Sequence, residues 1–230
     1  MNELSLSRNI ASLLERVRLS AQKSQYGNRD ILLLAVSKTR PAADIRAAHG
    51  AGLTDFGESY LREALLKMAE LEDLPLIWHF IGPIQSNKTR PIAEHFDWVH
   101  SIDRSKIARR LSEQRPADQP PLQVCLQVNI SGETSKSGVT PQELPQLAQD
   151  IMALPNLQLR GLMAIPAATS DIQLQRQAFA RLRSALEKLL VIAPQLDTLS
   201  MGMSQDFEAA ITEGSTIVRL GTAIFGPRNR

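Results

Sequence analysis

The feature that most constrains this chain is a regular alternation between short apolar runs rich in β-branched residues and longer amphipathic segments. The apolar runs have the length and composition of buried strands. They lie at residues 31–37, 53–56, 76–82, 97–102, 122–130, 157–165, 196–201 and 216–221. Such an alternation indicates repeated βα units, which place parallel strands side by side.

Segments with helical character fill the intervals between these runs. They lie at 41–50, 58–71, 86–95, 104–115, 140–154, around 179–192 and at 204–213, with a short one from Thr222 and an extra helix at 4–23 ahead of the first strand. The helix at 140–154 opens with Thr140, Pro141 and Glu143, which match an N-cap, a first-turn proline and a capping-box acid. The extra helix has one apolar side, formed by Leu6, Ile10, Leu13 and Val17.

Eight βα units in order, without a composition shift or a Gly/Ser linker, predict an α/β protein with a single (β/α)8 TIM barrel and an extra N-terminal helix. We expect one domain over residues 1–230, with the N-terminal helix in 1–30 and the barrel in 31–227. The alternative is an open doubly wound sheet. That fold favours a glycine-rich first turn, whereas the turn after the first strand here is SKTRPA.

Composition and charge argue against several classes of protein. Lys and Arg total 26 against 24 acidic residues without a long run of like charge, so neither nucleic acid nor a membrane is the expected partner. No segment resembles a secretory signal or a membrane span, and we expect a cytoplasmic protein. The single cysteine, Cys125, lies in a strand-like run and is expected to be a small core residue. No unpaired apolar helix face is obvious, which favours a monomer.

The first strand-like run, ILLLAVS, is followed directly by Lys38. In a barrel, reactive groups gather where the strands end and the βα loops begin. A lysine that is partly desolvated there has more of the neutral amine, which attacks carbonyl groups, so Schiff-base chemistry is the hypothesis. The alternative is an ordinary solvated lysine beyond a strand. Polar residues at the other strand exits favour the first interpretation; they are Glu58, Ser59, His79, Gln85, Asn87, Asn129, Ser204, Arg219 and Thr222.

The exits of the last two strands, SMGMSQD and RLGTAIFG, suggest an anion site. Loops after barrel strands 7 and 8 often bind phosphate. Ser204 and Thr222 supply hydroxyl groups, and Gly221 lets backbone N–H groups approach an anion. A phosphate-bearing aldehyde would therefore suit both Lys38 and these loops, although the carboxylate of Asp206 would compete with a phosphate.

The motifs AVSKT, WHFIGPIQSNK, SKSGV, GLMAIP, SMGMSQDFEAAI and RLGTAIFG occur in this order between residues 31 and 227. Together they resemble the pyridoxal phosphate homeostasis proteins, a single-domain family related to the barrel of alanine racemase. The resemblance implies that Lys38 holds pyridoxal 5′-phosphate (PLP) as an internal aldimine and that Arg219 faces the pyridine nitrogen. It also implies a set of contacts to the phosphate and the ring, made by Ser204, Gly221, Thr222, Met163 and His79.

Three residues carry open questions. Where the family usually has FGEN this chain has FGES, so Ser59 replaces an expected asparagine and a cofactor contact there would be weaker or mediated by water. His79 alternates with apolar residues in a strand, and an interior histidine without a ligand is an equally good interpretation. Lys136 is most simply a solvated loop lysine, with a second aldehyde site as the alternative.

Arg219 also bears on the choice between carrier and enzyme. Arginine is always protonated and only donates, so its partner on the ring must be an unprotonated nitrogen, and the ring is then a weak electron sink. Racemases of the related fold add a tyrosine base; here Tyr60 is the candidate, and nothing pairs it with a substrate. We predict a non-enzymatic protein of intracellular PLP homeostasis that releases or exchanges PLP by transimination, for instance to PLP-dependent apo-enzymes, with no catalytic residue and no metal site. The alternatives are an amino-acid racemase with Tyr60 as base, and a regulatory protein whose cofactor reports metabolic state to a partner.

Overall fold

The computed structural model describes residues 3–26, 30–133 and 137–227. The strands within these ranges are β1 (Leu32–Val36), β2 (Asp55–Glu58), β3 (Ile77–Phe80), β4 (Trp98–Ile102), β5 (Leu122–Gln127), β6 (Leu157–Met163), β7 (Thr198–Met203) and β8 (Ile217–Leu220). The helices are α1 (Glu3–Lys23), α2 (Ala42–Gly50), α3 (Leu61–Glu70), α4 (Thr89–His95), α5 (Ser105–Gln114), α6 (Leu144–Met152), α7 (Ile172–Leu189), α8 (Phe207–Thr212) and α9 (Thr222–Phe225), with a 3-10 turn at Ser86–Lys88.

The strands form a closed barrel in chain order. Each strand pairs in parallel with the next, and β8 returns to pair with β1. The predicted (β/α)8 barrel with an N-terminal helix is therefore confirmed, and the doubly wound alternative is excluded. Closure gives every strand two neighbours, so no backbone edge is left unpaired. The register sets Leu34 beside Arg219 and Gly57 beside His79, which brings the exits of β8, β1, β2 and β3 together.

Two strands begin two residues later than the apolar pattern predicts. The strand expected at 53–56 is β2, Asp55–Glu58, because the Leu53 N–H bonds to the Ala48 carbonyl and closes the end of α2. The strand expected at 196–201 is β7, Thr198–Met203. Both strands include polar side chains that face the barrel interior. A search for apolar runs does not identify those positions as part of a strand.

Several helices also begin later than predicted. The Thr140 N–H and hydroxyl both bond to Glu143 Oε2, at 2.8 Å each, but this pair closes a turn and α6 starts only at Leu144. The helix expected from Ser204 starts at Phe207, because Asp206 Oδ1 accepts the Met203 N–H at 2.6 Å and holds a preceding turn. The helix expected from residue 58 starts at Leu61, since Glu58 belongs to β2.

Helix α1 packs on the outside of the barrel against α2, α8 and α9. Its predicted apolar side is buried, with exposures of 1–5% for Leu6, Ile10, Leu13 and Val17. Asn9 donates from Nδ2 to the Ile224 carbonyl at 3.1 Å, which ties α1 to the short helix that follows β8. The helix therefore supports the loops at the carboxyl end of the last strands. Within the described residues no helix has the length and apolar character needed to cross a membrane.

Candidate functional site

A cavity of about 350 Å³ opens at the carboxyl ends of the strands. Its volume is in the range of small-molecule sites, about 300–1,000 Å³. The predicted residues on its wall are Lys38, Ser59, Ser204, Arg219, Gly221 and Thr222. The fold thus brings together residues from position 38 to position 222 of the sequence. This is expected, because all strand exits of a closed parallel barrel lie at the same end.

Lys38 lies two residues beyond the end of β1 and is half-buried. Its Nζ donates to Ser59 Oγ at 3.4 Å, so the amine points across the cavity mouth to the exit of β2. The next residue, Thr39, has a φ of 65°, and it is the one non-glycine residue with positive φ in the described parts of the chain. A β-branched residue in this conformation is strained, and strain of this kind is concentrated at functional sites.

Arg219 forms the floor of the cavity. It is 4% exposed and donates from Nη1 to the Ser200 carbonyl and Oγ at 2.6 and 2.8 Å, and from Nη2 to the Ala164 carbonyl at 2.9 Å. Burial lowers the pKa of Arg219 to about 10, so it remains a cation at neutral pH. A guanidinium has more N–H donors than these bonds use, and the others have no partner among the described residues. The floor therefore offers donors to an acceptor atom in the cavity.

Hydroxyl groups and a glycine form the side of the cavity next to β7 and β8. Ser204 Oγ accepts the Ala223 N–H at 3.3 Å, which fixes the hydroxyl beside the start of α9. A Cβ on Gly221 would lie 3.3 Å from the Val36 carbonyl, so glycine is favoured here by space rather than by φ. Thr222 is exposed at the same rim.

Asp206 also lines the cavity. Burial raises the pKa of its carboxyl group, while the Met203 N–H and the charge of Arg219 lower it. Because Oδ1 is held by the Met203 N–H, the carboxyl group is turned partly back to its own loop. Asp206 therefore stays on the cavity wall, where its carboxylate would compete with a phosphate as the sequence suggests.

His79 and Met163 are fully buried and are not among the described residues that line the cavity. His79 contacts Asp55 Oδ1 at 3.0 Å through Nε2 and His100 Nε2 at 2.9 Å through Nδ1. The structure therefore supports the interior alternative for His79. The ring contacts that the family resemblance implies for both residues stay predictions without a contact to support them.

The histidine contacts extend into a chain of hydrogen bonds that reaches the cavity floor. His100 Nδ1 lies 2.8 Å from Ser200 Oγ, which in turn accepts from Arg219. One set of protons satisfies every contact: Arg219 donates to Ser200, Ser200 to His100, His100 to His79, and His79 to Asp55. Both histidines are neutral in this arrangement. Burial lowers the pKa of His79, and of His100 even further, in agreement with the neutral forms.

Several other predicted positions lie away from the cavity. Tyr60 is the N-cap residue of α3, is 52% exposed and is not among the described lining residues. Asn129 donates to the Glu133 carbonyl in its own loop. Glu58 is fully buried beneath the cavity wall. Lys136 lies outside the described residues. No group of His, Cys, Asp and Glu in the described residues has the arrangement of a metal site.

The sequence interpretation missed the β6–α7 loop and the residues behind the wall. Ile165, Pro166, Ala168 and Thr169 line the cavity on the side of β6. The rule that strand exits face the barrel mouth, applied to β6, would have found them. Ser200, His100 and Lys67 carry no comparable signal, because the partners that place them at the site are Arg219, His79 and Ser37, which are distant in the sequence.

The barrel with an amine after its first strand and an arginine on its last belongs to a known class. A family model, "Alanine racemase, N-terminal domain", matches residues 9–229. The alanine racemase of Corynebacterium glutamicum has the same fold, with a TM-score of 0.69 at 18% identity over 98% of this chain and 61% of its own. The class is thus that of barrels of the alanine racemase N-terminal type.

Closer relatives specify the family within this class. The pyridoxal phosphate homeostasis protein of Pseudomonas aeruginosa PAO1 is 65% identical over 97% of this chain and 96% of its own length. PipY of Synechococcus elongatus PCC7942, solved with PLP bound, has a TM-score of 0.84 and 38% identity over 96% of this chain and all of its own. The chain belongs to the family of pyridoxal phosphate homeostasis proteins.

Proposed function

We propose that this protein binds PLP in the cavity and acts in PLP homeostasis as a carrier that holds the cofactor reversibly on Lys38. The observation that carries the proposal is that Lys38, Arg219, Ser204 and Thr222 line one cavity of about 350 Å³. The homeostasis relatives and the PLP-bound PipY support the same assignment. We further propose that the chain is a single-domain cytoplasmic monomer and that PLP-dependent apo-enzymes receive the cofactor.

The residues present fit this cofactor. PLP supplies an aldehyde that condenses with a lysine amine to a Schiff base with loss of water, and a second amine can exchange for the first by transimination. Lys38 provides the amine, and the Ser59 hydroxyl next to it is a hydrogen-bond partner in place of the asparagine usual in the family. Ser204, Gly221 and Thr222 provide the anion side, at the loops after β7 and β8.

Arg219 favours holding the cofactor over carbanion chemistry. Its guanidinium offers only donors, so it stabilises an unprotonated pyridine nitrogen, which makes the ring a poor electron sink. Its hydrogen bonds to Ser200 and to the Ala164 carbonyl hold the guanidinium group in this direction, so it would present donors, and no acid, to a ring nitrogen placed there.

The cavity also lacks an obvious second base. Among the described residues, no tyrosine, histidine or cysteine lines it, and Tyr60 is exposed at the start of α3. Asp206 is the one carboxyl group on the described wall, and the Met203 N–H already binds it. These positions support a carrier over the racemase alternative.

The test is the visible absorption spectrum of the purified protein and of Lys38→Ala, before and after borohydride reduction. We expect a visible band in the wild type that reduction removes, and no band in Lys38→Ala. Lys106→Ala, which changes an exposed lysine at the start of α5, is the matched control and should keep the band. A wild type that stays colourless after incubation with PLP would refute the assignment.

A second test, with the wild type and Tyr60→Phe, separates the carrier from the racemase. Steady conversion of an L-amino acid to its D form by the wild type, lost in Tyr60→Phe, would establish the enzyme. We expect no turnover, together with transfer of PLP from the loaded protein to an apo-enzyme.

A further inference from the structure

Behind the wall that carries Lys38, a second lysine is buried. Lys67, on α3, is 5% exposed. Its Nζ donates to the Ser37 carbonyl at 2.8 Å, to Glu58 Oε1 at 2.7 Å and to Glu63 Oε1 at 2.5 Å. An ammonium group has three N–H donors, and all of them are used here. We call Ser37, Glu58, Glu63 and Lys67 the Lys67 cluster.

The Lys67 cluster holds the main chain on both sides of Lys38. On the N-terminal side, Ser37 accepts from Lys67 through its carbonyl and donates from Oγ to Glu58 Oε1 at 2.7 Å. On the C-terminal side, the Thr39 N–H donates to Glu63 Oε1 at 2.6 Å. Lys67 thus reaches both neighbours of Lys38, directly through Ser37 and indirectly through Glu63.

The turn that the cluster holds has an unfavourable residue in its third position. The Arg40 N–H bonds to the Ser37 carbonyl at 3.0 Å and closes a four-residue turn, in which Thr39 has a φ of 65°. Turns with positive φ at this position favour glycine or asparagine. A threonine persists there only if its surroundings enforce the conformation. The bond from Thr39 to Glu63 is a contact that does so.

Stability alone is a weak explanation for the Lys67 cluster. Glu58 is fully buried, its Oε2 has no hydrogen-bond partner among the described residues, and burial raises the pKa of its carboxyl group. Buried ion pairs are often no more stabilising than apolar residues of the same size. Their best-supported use is to specify one geometry, and the geometry specified here is that of the turn bearing Lys38.

We propose that Lys67 is a positioning residue for Lys38, which clamps the turn at residues 37–40 so that the Lys38 amine is held at the cavity mouth. This inference rests on the proposed function, because positioning matters only if Lys38 bonds to the cofactor. It predicts that Lys67 contributes to PLP retention through Lys38 and not through the cavity as a whole.

A double-mutant cycle tests this coupling, with PLP itself as the probe. Dissociation constants are measured by equilibrium dialysis for the wild type, Lys67→Met, Lys38→Ala and the double variant. We expect Lys67→Met to weaken PLP binding about tenfold when Lys38 is present and less than about twofold in the Lys38→Ala background. Equal losses in both backgrounds, or no loss in either, would overturn the proposal.

Lys67→Met leaves Glu58 buried without a cation and risks misfolding, so Glu63 provides a second test. Its side chain is 31% exposed, and its replacement leaves the pair of Lys67 and Glu58 in place. Glu63→Gln keeps an oxygen that can accept the Thr39 N–H, whereas Glu63→Ala does not. We expect Glu63→Gln to retain PLP nearly as the wild type does and Glu63→Ala to release it several-fold faster. If Glu63→Ala matched the wild type, the clamp at Thr39 would have no role.

A measurement without cofactor separates this inference from the proposed function. In the PLP-free protein, amide hydrogen exchange of a peptide covering 37–40 should be faster in Glu63→Ala than in the wild type and restored in Glu63→Gln. Unchanged exchange would refute the clamp. If exchange responds as expected and the wild type binds no PLP, the clamp stands as a structural feature and the proposed function has failed.

Discussion

Lys67 and Arg219 are both cations held inside the protein, and each is surrounded by oxygen atoms that fix its direction. A buried cation is costly unless it is hydrogen-bonded, so these bonds strongly favour the observed direction of each side chain. Arg219 is turned to the cavity floor and Lys67 to the back of its wall. At the scale of single residues, the site is set by charges that cannot reorient.

Cys125 illustrates the opposite case, a polar atom that is buried and inert. It is fully buried in β5, and burial raises the pKa of its thiol from 9.0 to about 12. Because the thiolate is the reactive form, we expect the native protein at pH 8 not to react with a thiol reagent, and the unfolded protein to react fully. The check is a titration with Ellman's reagent with and without guanidinium. Rapid reaction of the native protein would contradict this burial.

At the scale of secondary-structure elements, the site depends on how closely adjacent strand exits approach. Strands β2 and β3 run side by side, and the chain beyond β3 passes against the backbone of Ser59. Hydrogen bonds then connect β2, β3, β4, β7 and β8 through the barrel interior, from Asp55 to Arg219. The close approach at Ser59 and the chain of hydrogen bonds both depend on groups contributed by more than one strand.

Gly82 provides a test of the close approach. A Cβ at this position would lie 2.3 Å from the Ser59 carbonyl oxygen. We expect Gly82→Ala to lower the free energy of unfolding by about 2–3 kcal/mol and to weaken PLP binding, because Ser59 must move. Gly50→Ala, at the end of α2 with nothing within 4 Å of the added Cβ, is the control, and a gain of about 0.5 kcal/mol is expected. If chemical denaturation gave the same change in the free energy of unfolding for Gly82→Ala and Gly50→Ala, the steric argument would be refuted.

The buried histidines make stability depend on pH. Burial lowers the pKa of His79 and of His100 below the ordinary value of 6.5, so below pH 6.5 the unfolded chain binds protons that the folded chain does not. The free energy of unfolding should therefore fall as the pH drops below 6.5, by up to about 1.4 kcal/mol per pH unit for each histidine. Denaturant titrations between pH 7.5 and 5 measure this slope.

The matched variants for this prediction are His100→Gln and His95→Gln. His95 is exposed on α4, so its replacement should leave the slope as it is. His100→Gln should reduce the slope. A wild-type slope of zero across this range would mean that the folded and unfolded chains take up protons equally, and it would contradict the lowered pKa values of the two interior histidines.

At the scale of the whole molecule, α1 lies outside the barrel yet packs as part of its core. Its buried side chains belong to the same apolar cluster as the barrel and its helices. Arg40 donates to the Gly226 carbonyl at 2.5 Å, which links the turn that bears Lys38 to the end of α9, and α9 rests on α1. The helix is thus connected to both sides of the cavity.

Truncation of a buried side chain in α1 should therefore destabilise the whole protein. Ile10 is 1% exposed, and we expect Ile10→Ala to lower the free energy of unfolding by about 3 kcal/mol in one cooperative transition. Leu14, which is 43% exposed on the same helix, is the control, with an expected loss below about 1 kcal/mol. An α1 that melted in a separate, earlier transition would show that it is not part of the common core.

The amino-acid sequence by itself determined the order of the strands, the barrel class, the buried side of α1 and the positions of Lys38 and Arg219, because periodicity and strand exits are local patterns. It did not reveal that Lys67, on a helix with an amphipathic pattern, faces inward to the turn bearing Lys38, nor that His79 and His100 form a pair. Those contacts depend on the pairing of neighbouring strands, which brings Ser37 beside Lys67 and His79 beside His100. The tertiary structure alone decided them, since the direction of a polar side chain depends on which partners surround it and not on its neighbours in the chain.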